Sequence, residues 1–143
     1  MTDMCIENIF NLPIIKVEVC TFDEVRIHFG SMINIFNQRT KKFIWRGEYL
    51  LHIVDSAWRL REKSNIIFSS SCFEEEMIGR FCRYFEERKI VSYEDISETD
   101  FVITLENGAI FETFFYNLDI DEPVKWLLDK PDGNTYYHAV KPA

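Results

Sequence analysis

Hydrophobic positions in TDFVITLENGAIFETFFY, residues 99 to 116, fall into two β-rich runs around Asn107-Gly108. That dipeptide readily supplies the positive φ angles of a two-residue type I′ turn, so the spacing predicts a hairpin. In it Leu105 faces Ile110, Ile103 faces Glu112 and Phe101 faces Phe114, while Val102, Thr104, Phe111, Thr113 and Phe115 share the other face. Both faces are apolar, which places the pair inside a sheet rather than at its edge. Period-two alternation also marks strands over residues 14 to 19 (Ile15, Val17, Val19) and 24 to 29 (Val25, Ile27, Phe29). A turn at Thr21-Phe22-Asp23 joins them into a second hairpin. Shorter β-like runs occupy 32 to 36, 48 to 54, 65 to 69 and 88 to 93.

A different period governs Phe73, Met77, Ile78, Phe81, Cys82 and Phe85, whose steps of 4, 1, 3, 1 and 3 wind one apolar stripe around a helix. The spacing predicts a helix over 72 to 87. Ser71 and Glu74 have the spacing of a capping box, Glu74 to Glu76 suit the positive end of the helix dipole, and Arg83 and Arg88 suit its negative end. Pro123 before VKWLL reads as a short helical turn, and Asp132-Gly133 as a turn before a last extended piece, TYYHAV. The elements sum to an α+β fold: an antiparallel-rich β-sheet with one principal α-helix packed on a face. No repeat, linker or low-complexity tract divides residues 1 to 143, which are read as a single domain.

Composition narrows the function classes. With 16 Lys and Arg against 24 Asp and Glu, the net charge is −8. Such a balance repels phosphate backbones and anionic lipid and steers a cationic partner inward, so neither nucleic acid nor membrane is expected as a partner. MTDMCIENIF carries acids where a secretory signal would carry positive charge, and no apolar run is long enough to span a bilayer. A cytoplasmic location is expected. Cys5, Cys20, Cys72 and Cys82 show no CxxC spacing and are read as reduced, partly buried thiols.

Candidate chemistry is sparse. The stretch IVDSAWRLREKSNIIFSSSCFEEE, residues 53 to 76, gathers polar side chains at what reads as a strand-to-helix junction. Cys72 would sit at the helix start, but the adjacent glutamates oppose a thiolate there. Ser56 lacks a GxSxG elbow. Trp58 is read as core, and Arg59 as the partner of a semi-buried carboxylate. Glu112, opposite an apolar residue, is either a carboxylate of raised pKa or the ion partner of Arg59. His28, His52 and His138 lack the local pairing of a zinc site and are read as structural or surface residues. No cofactor and no catalytic residue is assigned.

AWRL at 57 to 60, NIIFSSS at 65 to 71, a helix, FVITLENGAIFETF at 101 to 114, and Trp126 before KPDGNTYY together resemble a group of small bacterial immunity-type proteins over residues 47 to 137. The resemblance implies a non-catalytic module that neutralises a toxin domain, often a basic nuclease, by stoichiometric binding. Its expected contacts are Glu94, Asp95 and Glu98 in YEDISETD, and Asp119, Asp121 and Glu122 in NLDIDEP. Two other readings stand beside it. A small-ligand or enzymatic domain would converge Glu112, Arg59 or a histidine in a pocket between sheet and helix. An inert structural module would expose a large apolar patch.

Overall fold

The computed structural model describes residues 5–21, 23–38, 40–115 and 124–139. Its elements in chain order are β1 (Ile14–Thr21), β2 (Glu24–Asn37), β3 (Lys42–Ile53), β4 (Ser56–Glu62), β5 (Asn65–Ser69), α1 (Ile78–Phe85), β6 (Ile90–Asp95), β7 (Phe101–Leu105), β8 (Ile110–Phe115), β9 (Val124–Asp129) and β10 (Thr135–Ala139). The architecture is the α+β, antiparallel-rich arrangement that the patterning predicts, but its strands divide into two five-stranded sheets. Their orders are β1-β2-β3-β9-β10 and β5-β4-β8-β7-β6. The chain passes from one to the other at Asp55, whose φ of 51° turns the backbone sharply between β3 and β4. Among the described residues no helix is long and apolar enough to cross a membrane.

The inner rows of both sheets share one core. Val25, Ile27, Phe29, Leu51, Ile53, Trp126 and Leu128 come from the first sheet, and Trp58, Leu60, Phe101, Ile103, Leu105 and Phe111 from the second. Trp58 is buried, as expected. Its ring lies 4.6 Å from Phe81 on α1 and 5.6 Å from Phe111 on β8, with Phe73 edge-on at 5.1 Å. Phe81 and Phe85 thus lay the helix on part of the second sheet's inner face, and such aromatic contacts add to the area they bury.

Three local expectations are corrected. The helix begins at Ile78, not at residue 72, because Phe73 and Glu74 are extended and carry Phe73 into the core; residues 70 to 72 and 75 to 77 form 3₁₀ turns. The Ser71–Glu74 capping box does not form: Ser71 bonds Ser69 instead, and Cys72 lies exposed outside the helix. Residues 124 to 129 are a strand rather than a helical turn. VKWLLD reads either way, and the free edges of β3 and β10 supply the ladder that decides it.

A further correction concerns register. The β7–β8 hairpin is interior to its sheet, as expected, yet Ile103 pairs with Phe111 and Val102 with Glu112, a shift of one residue. Of Asn107 and Gly108 only the glycine takes a positive φ, +87°, so the loop is a three-residue turn with a bulge at the glycine. Asn107 instead spends its amide on Tyr84 and on the backbone of Ala109. One slipped residue exchanges faces. Phe111 and Thr113 turn into the core, and Glu112 turns outward beside Val102 and Arg59.

Candidate functional site

β6 is an edge strand that ends in Glu94 and Asp95, and the turn after it carries Glu98, which together are the first group of acids predicted from sequence. Glu94 and Glu98 are exposed. Between them Ile96 is 59% exposed at the start of a turn closed by backbone bonds from the amides of Ile96 and Ser97 to the Asp100 carbonyl. Ser97 Oγ accepts the amides of Thr99 and Asp100, and Asp100 Oδ1 accepts that of Phe115, so the tip is pinned to β8.

Asp95 does a different job from its neighbours. It accepts bonds from Tyr93 Oη (2.5 Å), the buried Lys125 Nζ (3.0 Å) and His138 Nε2 (3.2 Å). Burial raises its pKa, and the bonds from Tyr93 and Lys125 more than offset this, so the carboxyl is held below its ordinary value. Burial and the Asp95 carboxylate push the Tyr93 phenol well up, keeping it a donor. Tyr93 in turn accepts Trp126 Nε1–H at 2.8 Å, which ties the acidic turn to the core. Asp119, Asp121 and Glu122 lie outside the described residues.

Two of the groups proposed for a pocket between sheet and helix, Arg59 and Glu112, do meet, but not in such a pocket. Glu112 bonds Arg59 Nε and Arg61 Nε on the outer face of the second sheet, which identifies the partner that Arg59 was expected to have. Burial raises the Glu112 pKa and the two guanidiniums lower it further, leaving it below the usual value.

His52 lies on the outer face of the first sheet and its Nε2–H donates to Asp129 Oδ2 at 2.8 Å; Thr135 Oγ1 donates to Asp129 Oδ1 at 2.5 Å. These side chains border two adjoining cavities of about 300 and 410 Å³. The buried Arg46 lines the smaller and gives its guanidinium to the carbonyls of Gly47, Glu48 and Lys130. Among the described residues no three His, Cys, Asp or Glu side chains are placed to share a metal ion.

The sequence reading passed over the most exposed aromatics. β1 pairs with β2 only as far as Phe29, and β9 with β3 only from Leu50 onward. Beyond those limits Met32–Asn37 and Lys42–Gly47 pair with each other alone, as a two-stranded ribbon. Its register puts Met32, Phe36, Phe43 and Trp45 on one face, and Phe43 and Trp45 are 71% and 66% exposed. A signal was present: no acid occurs from Val25 to Gly47 in a chain with 24.

No protein-family model, curated protein or solved structure matches this chain.

Proposed function

We propose that this chain is a non-catalytic binding module that holds a cationic protein partner in a one-to-one complex, and that it acts in the cytoplasm. The turn after β6 carries this reading: an exposed apolar side chain, Ile96, sits between two exposed acids on a loop held rigid from within. A preorganised apolar anchor with a charged rim loses little entropy on docking, and the rim speeds encounter with an oppositely charged surface. Asp95 is the internal tether of this surface, and Glu94, Ile96 and Glu98 make the contact. A basic toxin domain is the partner that the resemblance to immunity-type proteins implies.

The test compares the wild-type chain with Glu94→Lys/Glu98→Lys and with Ile96→Asp as immobilised bait. A basic protein retained by the wild type is identified by mass spectrometry, and its binding is then measured with purified components. Charge reversal is expected to slow association about tenfold at low salt, with the difference shrinking as salt approaches about 0.5 M. Ile96→Asp is expected to speed dissociation. A basic partner that binds both variants as it binds the wild type would rule this surface out.

A further inference from the structure

The net charge of −8 is an average over two unlike regions. Five of the 16 basic residues and none of the 24 acids lie between Val25 and Gly47, so this run carries +5 and the rest of the chain −13. Within it Lys41 and Lys42 are exposed at the end of the ribbon. Beside this end begins the row of Met32, Phe36, Phe43 and Trp45, which continues the inner face of the first sheet past the point where the second sheet covers it, while Lys42, paired with Asn37, stands on the other face. Ile35 and Ile44 on the ribbon's opposite face border the two cavities on the outer side of the first sheet, and Phe36 reaches the smaller one, whereas Met32, Phe43 and Trp45 line neither and are exposed.

Size and shape narrow what this row can meet. Four side chains on a ribbon two strands wide fall short of the roughly 800 Å² per partner that a stable protein interface buries. Phe36 and Phe43 meet at 70°, which offers successive nucleobases no set of parallel faces to stack on. A bilayer surface asks for neither a wide platform nor a complementary pocket. Trp and Phe settle among its headgroups, and neighbouring lysines are drawn to anionic lipid within about a Debye length. We infer that the aromatic face of the β2–β3 ribbon, with Lys41 and Lys42 at the ribbon's end, docks the protein reversibly on the headgroup region of anionic phospholipid membranes.

Of the three tryptophans Trp45 alone is exposed, Trp58 and Trp126 being buried, so intrinsic fluorescence reports on the ribbon. The experiment titrates the intact chain with phosphatidylcholine vesicles containing about 30% phosphatidylserine, and with pure phosphatidylcholine vesicles. The expected results are a blue shift, quenching by brominated lipid, and co-flotation with the anionic vesicles. Trp45→Ala and Phe43→Ala should each weaken co-flotation about tenfold, and Lys41→Glu/Lys42→Glu should abolish it at about 0.1 M salt. All four substituted residues are exposed, and unchanged circular dichroism and melting will confirm that the variants fold. Three results would overturn the inference: no binding at millimolar anionic lipid, equal binding by the variants, or Trp45 quenching by single-stranded DNA or by a second copy of the chain and not by vesicles.

Discussion

His28 Nδ1 accepts the backbone N–H of Gly47 at 3.0 Å, across the point where the β2–β3 ribbon leaves its sheet. The amide can only donate, so this nitrogen keeps its lone pair and the ring proton sits on Nε2, facing Glu18 at 2.5 Å. Gly47 allows the approach, since a Cβ there would meet the Phe29 backbone N at 2.8 Å.

Protonating His28 would set two donors against each other. Burial lowers its pKa most, Lys16 and His52 push the same way, and Glu18 opposes them without prevailing, so the ring is held neutral. The unfolded chain therefore takes up this proton first as pH falls. The stabilisation is complete above about pH 6.5 and is lost as pH drops from there toward the folded-state pKa. Urea midpoints should fall between about pH 7.5 and 5.5. His28→Asn, which retains an acceptor for Gly47, should be less stable at the higher pH but flatter across the window. An unchanged slope in that variant would assign the acid sensitivity elsewhere.

Asp95 and its acidic neighbours should respond differently to substitution. Removing the Asp95 carboxylate leaves the buried Lys125 ammonium and the Tyr93 hydroxyl short of a partner. Asp95→Ala is expected to cost about 2–3 kcal/mol in chemical denaturation, whereas Glu94→Lys and Glu98→Lys should stay within about 0.5 kcal/mol. Equal effects at all three positions would deny Asp95 its tethering role.

Glu112 should behave as a half-sheltered ion partner. Arg59 is the more exposed of its two guanidiniums, and it also lies 5.1 Å over the Phe114 ring. Solvent screening limits such a cluster, so Glu112→Gln should cost about 1 kcal/mol, and less in high salt. Because the Glu112 pKa is depressed, its contribution is present above about pH 4.5 and fades as pH falls through the lower folded value. Salt and pH titration of the melting temperature of both proteins will check this.

Phe81 is fully buried, with its ring among those of Trp58, Phe68, Phe73, Phe85 and Phe111. Phe81→Ala should cost about 3–5 kcal/mol, close to the whole stability of a marginal domain, whereas Phe81→Leu should cost distinctly less. Urea denaturation followed by Trp fluorescence will separate the two. A cost below about 1 kcal/mol for the alanine variant would mean that α1 does not depend on this core.

What the sequence by itself determined was local. Alternation over a few residues was enough to mark β1 with β2 and β7 with β8, because each pair is joined by a short turn and buries a row of period two. The burial of Trp58 and the pairing of Arg59 with a carboxylate were legible too, since a large aromatic needs cover and a half-buried charge needs an opposite.

Tertiary structure decided whatever depended on a distant partner. β9 is a strand because β3, some 75 positions earlier, has hydrogen-bonding groups to pair with it. The β7–β8 register follows from Asn107 reaching Tyr84 rather than turning into a positive φ. Asp95 is tethered because Lys125 and His138 arrive from the other sheet. Trp45 and Phe43 have the composition of core residues and lie in the row that feeds the core, yet β2 and β3 outrun the strands that pair with them among the described residues. Side-chain periodicity is encoded along the chain, whereas burial is set by what other segments bring to the same place.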